Sequence, residues 1–537
     1  MSTRRNRRVG RLLAASAALL MIVPAAACGS DSDSDSASPG DQILRIAEAV
    51  EQPTLDPARN IQYLSDEMAA IYDTLVVLNA DGSIGPSLAE SWTVEGPSIT
   101  FKLRTGVKFH DGTPFNAEAV KAALDRVVDP NTKATNSKSV LGPYDNSQVI
   151  DENTVKVTWK TPVGAALINL ANADLSIPSP TAAKADTLDA KPIGTGPYKF
   201  VSYTKGDKLE VERNPDYTTI RPDLANKGAP KYAKIIFQYV PNASTRANLL
   251  TTGAVQVGQL TGPDAKRLAA TPTLNNAAFP GISETALWIN AKKVPDLNVR
   301  KAISAAIDRE ALIQAVAGGY AEVNWSVVPT IVPGYDANVK SAVAGYDQAQ
   351  AKSLLAAAGY TPGSDGVMTK DGKPLTLTIL SAAEDPWPAL DQLVQDQLAQ
   401  VGIKAEIKTE EFATVTQTRR KGDQHIYIGR YGILDPAGNM RILFACANIP
   451  SAEVPLGTNL TFNCNPEVDK ALEAAVSETD IPKRDALLSQ AQQLMAADHT
   501  ALVLYQPKSV VFSAKSVRGI GMQPDGILKI NDLEPGA

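Results

Sequence analysis

Hydrophobic and polar positions alternate in short blocks along the chain, switching between a period of two and a period near 3.6. Phe101 and Leu103 alternate with Lys102 and Arg104, and Val155, Val157 and Trp159 alternate with polar neighbours, which predicts two half-buried strands. Between them Val120, Ala123, Leu124 and Val127 form one apolar stripe at helical spacing, with Asn116 placed to cap the first turn and Glu118 near the positive end of the dipole. In the C-terminal half, Leu375 to Leu380 reads as a strand. Leu390, Leu393, Val394, Leu398 and Val401 read as a helix ending at Gly402, and Ala405 with Ile407 as the next strand, a β-α-β unit. Val299, Ala302, Ile303, Ala306 and Ile307 predict a further helix, as do Leu354, Leu355 and Ala358 ending at Gly359. The fold class is mixed α/β, and no segment repeats another.

The N-terminus departs from this pattern. Arg4, Arg5, Arg7, Arg8 and Arg11 precede an apolar run over residues 12–27, broken by Pro24 and closing with three alanines before Cys28. That is an export signal rather than a domain, and it falls short of the ~20 apolar residues a membrane span needs. Cleavage before a cysteine resembles the lipobox of bacterial lipoproteins, in which the thiol takes a diacylglycerol, although the usual Leu three positions earlier is Ala25 here. The resemblance implies a mature protein held by lipid on the extracytoplasmic face of the cell membrane. The Ser/Asp stretch that follows, residues 28–41 with the anchor, cannot bury apolar surface and reads as a linker.

Removing residues 1–27, which hold five arginines and no acidic residue, takes the formal charge from −6 to −11. No basic cluster survives, which argues against nucleic acid, and nothing signals membrane contact beyond the anchor. With 44% hydrophobic and 20% charged residues the remaining 510 can fill several cores. Cys446 and Cys464, the two cysteines left after Cys28, read as a disulfide in an oxidising compartment. Such a staple restrains the unfolded chain by about 3 kcal/mol.

Catalytic patterns are missing. The three histidines, His110, His425 and His499, are scattered, and there is no His-Glu-x-x-His pair, Gly-x-Ser-x-Gly elbow or P-loop. Gly194-Thr195-Gly196-Pro197 lacks the third glycine of a phosphate loop and reads as a turn. Asp31, Asp33 and Asp35 open like a calcium loop, but Ser36 and Gln42 stand where glycine and glutamate are needed. The reading is binding without catalysis, with no cofactor and no metal.

Several segments together carry a family resemblance: Thr54-Leu55-Asp56-Pro57, Ile71-Tyr72-Asp73-Thr74-Leu75, and Pro86-Ser87-Leu88-Ala89-Glu90-Ser91-Trp92 with the block from Phe101 through Phe109-His110-Asp111-Gly112 to Phe115. Pro192 to Tyr198, Asn290, Val299-Arg300-Lys301-Ala302, Ala306-Ile307-Asp308-Arg309, Ala351 to Tyr360 and Asp435-Pro436 continue it in order. The chain resembles the extracellular solute-binding proteins, family 5, of ABC importers, which carry oligopeptides, dipeptides and nickel, and it is most like the peptide-binding members. Most signature residues have a structural reading: Phe109 to Gly112 as a strand end entering a turn, Arg300 and Arg309 as helix clamps, Trp92 as core.

The resemblance implies a two-lobed, periplasmic-binding-protein-like fold of the class II (cluster C) type, with solute held between the lobes. Lobe one would comprise residues 42–78, 194–285 and 508–537, an inserted small domain residues 79–193, and lobe two residues 286–507. It implies a monomeric, non-enzymatic receptor whose partners are a small peptide or other solute and the permease subunits of an importer with their ATPases. In the peptide-binding branch an aspartate of an Asp-Pro loop pairs with the peptide ammonium, a part that falls to Asp435, though Asp-Pro is equally a turn starter. Tyr431 is a candidate for stacking on solute, and Trp387, Trp288 and Asn290 for lining the site. A non-peptide solute, such as a nickel chelate, an oligosaccharide or an opine-like compound, is the alternative.

Overall fold

The computed structural model describes residues 42–60, 65–383 and 386–536. The export signal, Cys28 and the Ser/Asp linker lie outside them. One sheet of twelve strands organises the backbone. Its first half holds the parallel pair Ile43–Glu48 and Lys234–Tyr239, with Val257–Leu260 beside the first and the antiparallel strands Lys208–Arg213 and Tyr198–Thr204 at the edge. In the second half Thr376–Ala382 lies parallel between Lys404–Glu410 and Ile426–Gly432, and Ser283–Ile289 runs antiparallel to the last.

Two segments join the halves. Leu274–Pro280 leads into Ser283–Ile289, and the strand Ala501–Ala514 pairs with the first half through Val510 to Ser513 and with the second through Ala501 to Tyr505. Helices cover both faces, so strand alternation serves two cores. In the second half Leu377, Ile379, Ile426 and Ile428 face one core, while Leu380, Ala382, Tyr427 and Trp288 face the other. A separate antiparallel sheet of four strands, Ala89–Glu95, Ser98–Leu103, Thr154–Trp159 and Tyr144–Asp151, has its own core.

The predicted elements form for the expected reasons. Asn116 Oδ1 accepts from Ala119 N at 3.1 Å, and the helix Ala117–Val128 buries Val120, Ala123, Leu124 and Val127 against that small sheet. The β-α-β unit has Leu377 beside Ala405 and Ile379 beside Ile407, with the helix Trp387–Gln400 between. Gly402 follows at φ +84°, where a Cβ would lie 2.8 Å from Gly366 O. The helix expected to run to Ile307 stops at Ala306. Ile307 is extended, and Asp308 caps a second helix, Arg309–Val316, by accepting from Ala311 N at 3.0 Å. Cys446 and Cys464 are joined, with Cα atoms 4.7 Å apart.

Gly194 and Gly196 are used for close approach rather than for a turn alone. Gly196 N donates to Ile71 O at 2.9 Å, and a Cβ on either glycine would meet the Ile71 carbonyl group. Thr195 Oγ1 and Tyr217 Oη then both donate to Asp73, at 2.8 and 3.1 Å. Phe109 to Gly112 is the expected strand end and turn, with His110 Nε2 3.0 Å from Gly196 O. Arg300 donates to Asp498 O and Val294 O, and Arg309 to Val503 O, so both clamp helices as read from sequence.

Asp56 is wholly buried. It accepts from Ala58 N at 3.1 Å and forms a bidentate pair with Arg126 of the helix Ala117–Val128, tying the first half to the small sheet. Removing Arg126 would break the bidentate pair and leave the buried carboxylate only the more distant Arg59, 3.5 Å away. Arg126→Ala should therefore lower stability by about 3 kcal/mol and reduce the melting temperature by several degrees in thermal unfolding. Asp56→Asn in the same background should recover part of the loss.

Candidate functional site

Strand register fixes where a ligand could sit. In the first half Ala47 pairs with Gly258, and Gly258 with Phe512, while Leu260 pairs with Val510. The carboxyl ends of its parallel strands therefore lie toward Pro507. In the second half Gly432 pairs with Ser283, and Ile433 N donates to Ile282 O at 2.9 Å, so those carboxyl ends lie toward the other crossing. Both sets of carboxyl ends thus meet at the crossings, the crevice position at which open α/β sheets bind ligands.

Asp435 stands just past one of these ends and caps the helix Pro436–Phe444, with Oδ2 accepting from Gly438 N at 3.1 Å. Its Oδ1 accepts from Arg484 Nη2 at 2.7 Å. Burial pushes the Asp435 carboxyl up, and the Arg484 guanidinium opposes the shift. Asn439 Oδ1 accepts from Leu434 N and Asp435 N, pinning the loop. The turn reading of Asp-Pro is thus realised, and the carboxylate already has a cation. The pair lies at a contact with the small-sheet region, where Gly164 N donates to Val476 O at 2.9 Å and Arg484 Cδ is 3.2 Å from where a Gly164 Cβ would stand.

Tyr431 is half-buried, its hydroxyl donating to Val327 O at 3.0 Å and its ring edge-on to Trp288, with centroids 5.0 Å apart. Trp288 is only 5% exposed and stacks on Phe444, so it packs the core beneath Tyr431. Asn290 sits at the far end of the same strand. Its Nδ2 donates to Gly422 O and Gln424 O at 3.1 and 3.2 Å, which commits it to backbone. Trp387 opens the helix Trp387–Gln400 half-buried, packed against both cores of the second half. Tyr431, Trp288 and Asp435 are thereby brought near one another, and Asn290 is not.

Two charged residues at these ends are not among the sequence candidates. Glu284, opposite Tyr431, is wholly buried. Asn324 Nδ2 donates to its Oε1 at 2.8 Å, Oε2 has no partner, and burial pushes its pKa well up. Arg430, opposite Thr285, is the lone charge in Ile-Tyr-Ile-Gly-Arg-Tyr-Gly, and that isolation was the available signal. In the first half Glu48 and Tyr239 pair at the strand ends, beside buried Asp66 and Glu67. Asp66 Oδ1 accepts from Leu528 N at 2.8 Å, and Glu67 Oε2 from Ser65 Oγ at 3.0 Å. Among the described residues no group of three or more His, Cys, Asp or Glu is arranged to hold a metal, and no helix is long and apolar enough to cross a membrane.

Burial raises Asp66 to about 6 and both Glu67 and Asp391 to about 7, while it lowers His110 to about 4. Raised carboxyls contribute stability that is fully present below their unfolded values of about 4 and is lost as pH climbs to 6 to 7. The depressed histidine contributes stability that is lost as pH falls from its unfolded value near 6.5 toward 4. The three carboxyls outweigh the one histidine, so the melting temperature without solute should fall as pH rises from about 5 to 7 and level off above that, and Glu67→Gln should flatten that decline in a pH series of thermal melts.

The model of the bacterial extracellular solute-binding proteins, family 5, matches residues 83–451, more than half the chain. The glutathione-binding protein GsiB of Pectobacterium atrosepticum is 31% identical over 497 residues, covering 90% of this chain and 92% of that one. NikA from Brucella suis, solved in complex with Fe(III)-EDTA, superposes with a TM-score of 0.79 at 25% identity, covering 92% of this chain and all of that one. DppA from Helicobacter pylori, solved with the peptide STSA, gives 0.70 at 26% identity, covering 93% and 98%.

Proposed function

The chain belongs to the bacterial extracellular solute-binding proteins of family 5, and from that membership we propose that it is a lipid-anchored receptor that takes a short peptide or glutathione-like solute between two lobes and delivers it to an ABC importer. The family is one of transport receptors, so the chain is a binding protein and not an enzyme. The observation that carries the solute class is the GsiB likeness over nine-tenths of the chain. The carboxyl ends meeting at the crossings support a site between lobes, with lobe one as residues 42–78, 194–285 and 508–537, the insert as 79–193 and lobe two as 286–507. The NikA superposition favours a metal chelate as the second reading.

Asp435 is the proposed reader of the solute ammonium, sharing its carboxylate between Arg484 and the ligand. Deleting the side chain would uncap a helix and strand a guanidinium whose side chain is only 7% exposed, so the informative change is Asp435→Asn. Calorimetric titration with Ala-Ala-Ala, glutathione and their N-acetyl forms should show wild type losing roughly 30-fold or more on acetylation, and the variant much less. Equal losses in both proteins would remove Asp435 from the site. Native mass spectrometry of freshly purified protein should release peptide or glutathione masses, and a single chelate mass would favour the second reading.

Cys28 is the proposed anchor. Cys28→Ser should move the protein from the membrane fraction to the soluble fraction on cell fractionation, and retention in the membrane would refute lipidation.

A further inference from the structure

Two hydrophobic cores that share no residue, that of the small sheet and one in the second half, meet at a pair of glycines. Gly164 lies in the turn before the helix Ala166–Leu170, where Val163 and Ala166 pack in the core of the small sheet. Opposite is the end of the helix Pro466–Ser477, whose Ala475 and Val476 pack in the second half. The Gly164 N–H donates to Val476 O at 2.9 Å, satisfying one of the carbonyls that the last turn of a helix leaves open. A Cβ on Gly164 would stand 2.2 Å from Glu478 O and 3.2 Å from Ala475 O, both backbone atoms. The seat therefore admits glycine alone. Gly82, between the strands Val76–Leu78 and Ile84–Pro86, makes a second contact of this kind, where a Cβ would lie 2.9 Å from Pro333 Cγ.

The joint is thin, since no ion pair links the small-sheet region to the second half among the described residues. Bodies joined so lightly move relative to one another unless something else holds them. Arg484 connects the joint to the proposed solute site. Its Cδ is 3.2 Å from where a Gly164 Cβ would stand, and its Nη2 donates to Asp435 Oδ1 at 2.7 Å. Gly164 thus closes over the stem of the residue that holds Asp435.

We infer that Gly164 is a latch: solute held at Asp435 keeps the small-sheet region docked on the second half, and the bare backbone at position 164 is what lets that docked state form. The inference rests on the proposed solute site and adds the step that retains the solute. Excluding water beside Asp435 and Arg484 strengthens every charge interaction there. Solute enters the undocked state, so the latch governs release rather than capture, and apparent affinity falls by the factor by which the docked state is depopulated.

Gly164→Ala is the informative change, because the backbone at 164 has no positive φ and suits alanine wherever the joint is undocked. Gly228→Ala, whose Cβ would meet nothing closer than 3.9 Å, is the control. Wild type and both variants are compared by calorimetric titration with glutathione and Ala-Ala-Ala, stopped-flow capture and release of each probe, small-angle X-ray scattering with and without probe, and thermal melts without probe. Gly164→Ala should bind roughly tenfold or more weakly, release faster by a similar factor, and change capture about twofold at most. It should melt with wild type and contract less on adding probe, and Gly228→Ala should match wild type throughout. A melting temperature lowered by several degrees without probe would identify a permanent structural joint and overturn the inference, as would unchanged affinity and release; both leave the proposed function standing. A wild type that binds neither probe overturns the proposed solute class and this inference with it.

Discussion

The strand Ala501–Ala514 is the constraint on which the rest depends. It is hydrogen-bonded into both halves and runs unbroken through Pro507, where the halves meet and where the short strand Ala321–Glu322 pairs with it. Proline offers no N–H to the ladder at that position. Side chains and a cross-link add to the joint: Gln506 Nε2 donates to Gly281 O at 2.7 Å, its Oε1 accepts from Thr330, and Gly281 N donates to Pro507 O at 3.2 Å. Two crossings held at one point give the halves a common axis of bending. Movement of this kind is how hinged receptors close on ligand.

Apart from Asp435-Pro436, the signature residues resolved in detail serve rigidity. Asp56 with Arg126 and His110 with Gly196 fasten the first half to the small-sheet region, and Asp73 with Thr195 and Tyr217 ties separate segments of the first half together. Several are buried polar groups whose cost is offset only when every partner is present. A recurring pattern of such residues marks a rigid body, and it says little about what the body carries.

The proposed solute site lies at the strand ends, where the backbone ladder stops and side chains are free to face a ligand. Asp435 is held by a cap and by Arg484, Tyr431 by its bond to Val327 O, and Trp288 by stacking on Phe444. These groups are fixed before any solute arrives, which limits the ordering cost of binding.

The hydrophobic pattern determined the elements and the fold class, because the burial of Val120, Leu124, Leu377 and Ile379 follows from local periodicity alone. It also located Asn116 as a cap and Gly402 as a helix stop, both effects of neighbouring backbone. The helix end at Ala306 was misplaced because Ile307 continues the apolar stripe while its backbone turns extended to let Asp308 cap the next helix. Which partners the polar residues take was decided only by tertiary structure. Asp435 meets Arg484 across 49 residues, and Arg126 meets Asp56 across 70. Asn290 and Trp288 share a strand, yet Asn290 is committed to Gly422 and Gln424 and Trp288 to the core beneath Tyr431. Charge pairing and exposure at the strand ends depend on what the rest of the chain brings there, and no local pattern encodes that.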